Sequence, residues 1–403
     1  MELNPGYKQT EIGVIPEEWD SVPISSLTPQ NRKNGIVDGP FGSNLKTIHY
    51  RTSGIPIITS GYVTDGKFYA DKYLYVDRSK FLEEKRSAVQ PGDIVMAKIG
   101  ERCGASAILP HNHETGILSG NALKITVDET RHSTSFVWQV LWNLHVSGKL
   151  EVLRTVGAQP ALSMANLKRF KISVPSTKTE QVSIATALCD VDGLLGGLDR
   201  LIAKKRDLKQ AAMQQLLTGQ TRLPGFSGEW EVKRLGELIF RLKKTTRPSS
   251  SGRAEGAYPF FTNTTKPVDR FLDEADFDTE AIIANTGGEA YFNYYNGNFA
   301  AMADCFVFKA SLVTLFLYYF LKSVERAVND NGFTGSGIKH LDKKFFYQME
   351  VRCPAELPEQ TAIATVLSEM DGELAVLEQR REKTRALKQA MMQELLTGRT
   401  RLV

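Results

Sequence analysis

Few residues in this sequence have the types and spacing that catalysis needs. Adenine methylation requires Asn or Asp followed by Pro-Pro and an aromatic residue, and the 403-residue chain contains no Pro-Pro dipeptide. A P-loop requires Gly-Lys followed by Ser or Thr, and no such triplet occurs. Nuclease-like Glu-x-Lys triplets begin at Glu83 and Glu231, but such triplets are common by chance in charged sequence. We therefore expect a protein without a catalytic site or a bound cofactor.

Residues that could bind a metal are also sparse. His111, His113 and Glu114 lie close together after Pro110, but a solvated loop explains them better than a metal site. The cysteines are too far apart in sequence for a zinc pattern or a disulfide framework, and they are Cys103, Cys189, Cys305 and Cys353. We expect reduced thiols and no metal.

Composition is that of an ordinary globular protein, with 42% hydrophobic and 24% charged residues. The longest apolar run, "LVTLFLYYFL" at 312–321, is about half of what a membrane span requires. The N-terminal residues resemble no secretion signal, so we expect a cytoplasmic protein that does not bind membranes. The net charge of +4 is too small to indicate nucleic-acid binding by itself, so any DNA-binding surface must be local.

The chain contains an internal repeat. Residues 180–223 align with residues 359–402 without a gap at a constant offset of 179, and 25 of the 44 positions are identical. Further upstream, Trp19 in "GVIPEEW" matches Trp230 in "SGEW". Each half therefore comprises a lead-in, a variable block and a helical block.

Each helical block carries apolar residues at alternating spacings of three and four. In the first block they are Leu188, Val191, Leu195, Leu198 and Ile202, and in the second Leu367, Met370, Leu374 and Leu377. A stripe this long predicts a helix of about 57 Å in a coiled coil, because ordinary globular helices are shorter. Each stripe could also pack on its own domain, but two matched stripes favour pairing with each other.

Local signals indicate where these helices begin and end. Thr177 and Glu180 match a capping box at the first start, while Gly219 and Gly398 follow the last periodic leucines. Glycines at 193, 196 and 197 weaken the first helix locally, so the helix could bend or break there.

The variable blocks read as mixed α and β. Short strand-like runs such as "GIPIITSGYV" and "DIVMAKIG" precede a predicted helix at "TSFVWQVLWNLHVSGKLEVL". The second block repeats this order with "AYPFFTN", "EAIIANTGG" and "LVTLFLYYFLKSVERA". The two blocks hardly match in sequence, since one has "DGPFGSNLK" roughly where the other has "RLKKTTRPSSSGR". We interpret them as one scaffold that carries two different sets of loops.

The chain resembles the specificity subunit of a type I restriction-modification enzyme over nearly its whole length. The motifs behind this resemblance are "GVIPEEW", "DGPFGSNLK", "ALSMANLKRFKISVP", "EQVSIATAL", "LKQAAMQQLLTGQTRLPGFSGEW", "YPFFTN", "AIIANTGGEAYF", "PEQTAIATVL" and "LTGRTRL". The tandem arrangement is specific, whereas each motif alone is only suggestive. One departure is that the second block has "GFTGSGIKHLDKKFFYQMEV" where the first has "GAQPALSMANLKRFKISV", so the two recognition domains belong to different subtypes.

The resemblance implies an α+β fold in which two mixed α/β target recognition domains are joined by two long helices. These helices would form an antiparallel coiled coil with a pseudo-twofold internal repeat. The implied domains are target recognition domain 1 at 1–178, a central helical region at 179–223, target recognition domain 2 at 224–356, and a C-terminal helical region at 357–403.

The resemblance also implies a function without catalysis. Such a subunit reads an asymmetric bipartite site on double-stranded DNA through its two recognition domains. It recruits methyltransferase subunits and, through the complex, restriction subunits with helicase and nuclease activity. We expect two methyltransferase copies, because a pseudo-twofold surface offers the same site twice. The alternatives are a noncatalytic DNA-binding adaptor of another phage-defence system and a pure protein scaffold. Neighbouring genes would distinguish the first alternative, and binding to mixed-sequence DNA would test the second.

Reading DNA needs cations for phosphates and flexible polar groups for base edges. In the first domain the candidates are Ser43, Asn44, Lys46, Lys98, Arg102, Arg154 and Gln159. In the second they are Arg241, Lys243, Lys244, Arg247, Thr262, Asn263, Asn285, Tyr291, Asn293, Lys339 and His340. Each could instead be an ordinary solvated loop residue, and the aromatic ones could belong to the core. The sequence does not specify the target or the length of its gap.

Overall fold

The computed structural model describes residues 5–31, 33–155 and 160–402, and the chain divides into two compact units. Unit 1 comprises residues 1–196 and 382–403, and unit 2 comprises residues 197–381. Each unit therefore contains one mixed region and one part of each long helix. The domain boundaries predicted above follow the sequence repeat and not this packing, and they stay a prediction.

The strands of unit 1 are short, and most of them lie in two four-stranded sheets with the orders β11-β10-β13-β4 and β8-β5-β12-β9. The strands are β1 (Tyr7–Thr10), β2 (Gly13–Pro16), β3 (Trp19–Pro23), β4 (Ile36–Asp38), β5 (Ile55–Ile58), β6 (Val63–Thr64), β7 (Lys67–Phe68), β8 (Tyr75–Val76), β9 (Ala88–Val89), β10 (Ile94–Ala97), β11 (Ser106–Ile108), β12 (Gly116–Leu118), β13 (Ala122–Ile125) and β14 (Lys171–Pro175). The helices are α1 (Arg78–Glu83), α2 (Thr134–Val146), α3 (Met164–Arg169), the first part of α4 (Lys178–Leu216) and the last part of α8 (Leu357–Leu395).

The core of unit 1 is built on β10 and β13, in which every residue is buried. Helix α2 packs over this core, and its Trp138 donates a hydrogen bond from Nε1 to the Ser106 carbonyl at 3.0 Å. The predicted helix extended beyond Val146, but α2 ends there because Gly148 adopts a φ of 72°, which stops a helix.

Unit 2 has one larger sheet, with the order β16-β21-β19-β20-β17-β18. Its strands are β15 (Trp230–Arg234), β16 (Ile239–Arg241), β17 (Tyr258–Phe261), β18 (Phe271–Leu272), β19 (Phe277–Ala284), β20 (Phe292–Ala301), β21 (Phe306–Ala310), β22 (Phe333–Thr334), β23 (His340–Leu341) and β24 (Glu350–Pro354). Its helices are the second part of α4, α5 (Leu235–Leu238), α6 (Thr314–Gly332), α7 (Lys343–Gln348) and most of α8 (Leu357–Leu395). The mixed α and β composition predicted for both variable blocks is confirmed.

The two long helices, α4 and α8, each have 39 residues and pair antiparallel within each unit. In unit 2, Lys205 contacts Glu373 and Lys209 contacts Asp371, both at 2.5 Å, so the numbering rises along one helix and falls along the other. In unit 1, Lys388 contacts Asp192 at 2.7 Å. The predicted coiled coil is confirmed. The break that the glycines would allow does not occur, because α4 continues through them.

Each unit closes with an ion pair between a glutamate of one helix and an arginine beyond the end of the other. In unit 2, Arg222 donates from Nε and Nη2 to both oxygens of Glu359, at 2.5 and 2.6 Å. In unit 1, Arg401 donates in the same way to Glu180, with Nη2 to Oε2 at 2.8 Å. Since the offset of 179 relates these pairs, the repeat preserves a tertiary contact as well as a helix.

Glu180 also explains why the predicted capping box is only half formed. The Thr177 hydroxyl accepts a hydrogen bond from the Glu180 amide at 3.3 Å, as predicted. The Glu180 carboxylate, however, binds Arg401 and accepts from Trp19 Nε1 at 3.4 Å, so its side chain serves the tertiary contact.

A buried glutamine repeats in the same way beside each glutamate. Gln181 donates to the Pro175 carbonyl at 3.0 Å and accepts from the Ser133 amide at 2.9 Å. Gln360 donates to the Pro354 carbonyl at 2.8 Å and accepts from Val313 at 3.0 Å. Each glutamine therefore joins a long helix to the strand before it and to the start of a second helix.

We predict that replacing Arg401 with Met destabilises unit 1 strongly. Glu180 is only 4% exposed, and leaving a buried carboxylate without its partner costs about 3 kcal/mol. Urea unfolding followed by circular dichroism measures the change. Arg399→Met is the matched control, because Arg399 lies in the same segment with a side chain that is 69% exposed, and it should change the free energy of unfolding by less than about 0.5 kcal/mol. Equal losses for the two variants would contradict the prediction.

Candidate nucleic-acid interface

Several loops of unit 1 meet at one edge of the sheet that contains β10. Strands β10 and β4 both pair antiparallel with β13, so their C-terminal ends point in the same direction. Asp38 ends β4, and Lys98 directly follows β10. Their side chains form an ion pair, with Oδ2 and Nζ 2.6 Å apart.

Asn121, which precedes β13, connects the neighbouring loops. Its backbone carbonyl accepts from the Lys98 amide at 2.9 Å, and its Oδ1 accepts from the Ser60 amide at 3.3 Å. Gly100 in turn donates to the Pro160 carbonyl at 3.0 Å. Loops that are far apart in sequence therefore form one hydrogen-bonded edge.

The candidate residues of unit 1 differ in their freedom to contact DNA. Asn44 and Lys46 are exposed in the loop after β4, beside Ser43. Arg102 is also exposed, and its Nη1 lies 3.5 Å from the Thr64 hydroxyl. Gln159 lies outside the described residues.

Arg154 and Lys98 are engaged within the protein. Arg154 donates from Nη2 to the Cys103 carbonyl at 3.0 Å and lies 3.6 Å from Glu151. Lys98 is paired with Asp38 and lies over the Phe41 ring, 4.0 Å from its centroid. Both side chains are mostly buried, so their contacts stabilise this edge from inside the protein.

The corresponding edge of unit 2 is cationic. Strand β16 pairs antiparallel with β21, which also pairs with β19, so β16 takes the place of β4. It ends at Arg241, which is exposed and lies 5.6 Å from the centroid of the Phe306 ring. Lys243 and Lys244 follow as exposed residues, and in the part of the chain that the structure describes no ion pair involves either.

Three further loops of unit 2 are tied together by backbone contacts. The hairpin of β22 and β23 reaches the loop after β19, because Gly288 donates to the Lys339 carbonyl at 2.9 Å and Leu341 donates to Thr286 at 3.0 Å. The Asn263 side chain accepts from the Thr286 amide at 3.2 Å. Lys339 and His340 are exposed on this hairpin, and Thr262 lies beside Asn263.

Asn285 is the most buried of the candidates, at 3% exposure. Its Nδ2 donates to the carbonyls of Thr264 and Glu289 at 3.3 and 3.4 Å. Its Oδ1 is buried without a hydrogen-bond partner in the described residues. Asn285 therefore shapes the loop from inside.

The remaining candidates of unit 2 are also partly engaged. Arg247 donates from Nε to Asp276 at 2.9 Å, and this hydrogen bond raises the pKa of the guanidinium. Burial raises the pKa of Tyr291, whose ring lies under the Lys322 ammonium at 4.4 Å. Asn293 lies on β20 as a half-buried residue. The exposed positions most available to DNA in this unit are therefore the lysines after β16 and the hairpin tip.

Other residues noted in the sequence have structural roles. His113 contacts the Tyr73 hydroxyl through Nε2 at 2.9 Å, Glu83 pairs with Lys80 at 2.8 Å, and Glu231 pairs with Lys233 at 2.5 Å. Among the described residues, no helix is long and apolar enough to cross a membrane.

Sequence reasoning missed Asp38 and Asn121 as organisers of the first edge. The only available signal was an acidic residue after a short apolar run in "IVDG". Its pairing with Lys98, 60 positions away, depends on the order of strands in the sheet, and no local pattern encodes that order.

Comparison with known proteins explains this repeated arrangement of loops on a helical scaffold. The model of the type I restriction modification DNA specificity domain matches residues 16–202 and 227–385, which is most of the chain and includes both halves. The chain belongs to the type I restriction-modification specificity family.

Curated relatives agree with this assignment. A putative type I restriction enzyme MjaX specificity subunit from Methanocaldococcus jannaschii is 25% identical over 427 aligned positions, which cover 98% of this chain and 97% of the relative. The MjaVIII specificity subunit of the same organism is 26% identical over 54% of this chain and 49% of its own length.

Solved structures share the fold. The S subunit of a type I restriction-modification system from M. genitalium has a TM-score of 0.66 at 16% identity, with 98% of each chain covered. A chain from a study of complex assembly and conformational transition in the type I system has a TM-score of 0.55 at 15% identity, over 95% of this chain and 99% of that one.

As a specificity subunit, the chain recognises DNA sequence and is noncatalytic, since methylation and cleavage reside in other subunits of such systems. The comparisons assign no individual contact residue. The candidate residues therefore stay predictions, and the structure ranks them by exposure and by internal partners.

We predict that Lys243→Ala and Lys244→Ala, made separately, each weaken DNA binding uniformly across sequences. If each lysine contacts one phosphate, the slope of log K against log salt falls in magnitude by about 0.9 for each variant. Fluorescence anisotropy with a labelled duplex at several salt concentrations measures the slope. Arg326→Ala is the control, because this 96% exposed residue lies on α6 and not on a loop, so its slope should not change. An unchanged slope for both lysine variants would remove them from the interface.

Proposed function

We propose that this chain reads an asymmetric bipartite site on double-stranded DNA, with each unit recognising one half-site. The supporting observation is that one framework occurs twice and carries two different sets of loops. The Glu180–Arg401 and Glu359–Arg222 pairs match at the repeat offset, whereas the edge strands end in Asp38 and Arg241. Because base contacts come from the loops, the two half-sites differ in sequence.

Exposed cations and exposed hydrogen-bonding side chains have different roles in recognition. Lys46, Lys243 and Lys244 are exposed and neutralise phosphates, which supplies affinity without sequence information. Asn44 and His340, which are also exposed, are placed to hydrogen-bond base edges. The buried members of the candidate set hold these loops in position.

We also propose that the long helices hold two methyltransferase subunits, which in turn bring the restriction subunits into the complex. Within unit 2, helix α4 exposes two leucines at heptad spacing, with Leu201 40% and Leu208 48% exposed. Such a row fits an apolar stripe on a partner helix. On α8 the positions that match Leu201 and Leu208 at the repeat offset are Arg380 and Leu387, so the two helices differ in chemistry at these positions.

A block replacement tests the assignment of half-sites. Exchanging residues 30–170 for the corresponding block of a related protein should change one half-site and leave the other intact, because base contacts are confined to their own domain. Methylated sites in a host that carries the intact locus are mapped genome-wide before and after the exchange. A simultaneous change of both half-sites would contradict independent reading.

The partner proposal is tested by native mass measurement after co-expression with the methyltransferase. We expect two methyltransferase copies at saturation, and loss of at least one copy when Leu201 and Leu208 are both changed to Glu. Val232→Glu is the control, since Val232 is 59% exposed and belongs to β15 and not to a long helix. A single copy at saturation would contradict the duplicated docking surface, and an unaffected complex would exclude the leucine row.

A further inference from the structure

The Asp38–Lys98 ion pair is unusual among the candidate contacts because the side chains of both partners are largely buried. The two side chains are only 16% and 12% exposed, and Nζ lies 2.6 Å from Oδ2. Arg86 approaches the other carboxylate oxygen at 3.7 Å. Asp38 is therefore neutralised by two cations, and Lys98 by one carboxylate.

The position of Lys98 excludes it from an easy phosphate contact. Its ammonium lies between the Asp38 carboxylate and the face of Phe41, 4.0 Å from the ring centroid. Moving it to a phosphate would leave the Asp38 carboxylate short of a partner at low exposure, and that is costly. It would also break the cation–π contact. Lys98 therefore supports the loop whose Phe41 ring packs against its ammonium.

The loop that contains Phe41 also carries Asn44 and Lys46. Phe41 is 45% exposed, and its backbone carbonyl accepts from the Asn44 amide at 3.2 Å. The direction of this loop is set at its base, where Gly39 donates to the Ala122 carbonyl at 3.0 Å. A Cβ on Gly39 would lie 2.0 Å from the Ser119 carbonyl oxygen, so only glycine allows this close approach of the two backbones. Lys98 holds the loop through Asp38 on one side of Gly39 and through Phe41 on the other.

We infer that Asp38 and Lys98 are positioning residues that set the specificity of the first half-site by fixing the loop at 41–46. This inference rests on the proposed function, because it concerns how one of the two half-sites is read. Unit 2 has Arg241 where unit 1 has Asp38, so it does not use this device. The consequence is that loss of the pair relaxes one half-site without changing the number of phosphate contacts.

Lys98→Met tests the inference in the intact complex with its methyltransferase. The variant keeps the length and apolar stem of the side chain and removes its charge. We expect discrimination against single mismatches in the first half-site, as assigned by block replacement, to fall by about tenfold. Discrimination in the second half-site and the salt slope of binding should stay unchanged. Genome-wide methylation maps report the first quantities, and anisotropy at several salt concentrations reports the last.

Two more variants separate positioning from folding and from phosphate binding. Lys98→Arg keeps both the ion pair and the ring contact, so it should retain the specificity of the first half-site. The double variant Asp38→Asn with Lys98→Met leaves no buried charge unpaired, and it should still relax that half-site because the loop has lost its support. If the double variant reads the first half-site as the parent does, the inference is wrong.

A second buried pair in the same sheet provides the matched control. Lys124 on β13 contacts Asp93, which precedes β10, at 3.0 Å with side chains that are 7% and 4% exposed. This pair lies at the opposite end of β10 from Lys98. Asp93→Asn with Lys124→Met should lower the melting temperature and leave both half-sites unchanged. Equal relaxation by this control would reduce Asp38 and Lys98 to general stability.

The salt dependence of binding also distinguishes a positioning role of Lys98 from a phosphate contact. A salt slope smaller in magnitude by about 0.9 in Lys98→Met, with an unchanged first half-site, would overturn the inference and make Lys98 a phosphate contact. Failure of the proposed function is distinguishable, since the parent complex itself would then methylate no bipartite site.

Discussion

A buried pair of glutamate and arginine holds each unit together. Glu180 and Glu359 are only 4% and 2% exposed, and a carboxylate at such depth requires a partner. The partners, Arg401 and Arg222, come from just beyond the end of the other long helix. Each pair therefore ties the start of one helix to the end of the other. In unit 1 it also brings residues near both ends of the chain into one core.

On this framework the loops are free to diverge. The framework contacts are made by backbone groups and by a few repeated side chains such as Gln181 and Gln360, so they place few demands on the loops. The two edges have consequently acquired opposite charge at the same point, with Asp38 in one unit and Arg241 in the other. A specificity subunit needs this combination, because the scaffold must keep its geometry while each set of loops reads different bases.

Local patterns in the sequence predicted the helices well. The apolar stripes lie within α4 and α8, and Gly219 and Gly398 follow their ends with φ of 70° and 72°. Prediction failed where tertiary contacts override local preference. The glycines at 193 and 197 lie inside a continuous helix. The Glu180 carboxylate binds Arg401 instead of completing the predicted capping box.

The sequence by itself determined the duplication, the two long helices and the family, because each is written in identities and spacings along the chain. It also named the loops that carry cations and amides. Only the tertiary structure decided which of these groups are available. Lys98 and Lys243 look alike in sequence, but Lys98 is paired with a carboxylate 60 positions away, whereas Lys243 is exposed. The availability of a charge depends on what the fold packs against it, and that is set by strand order and burial.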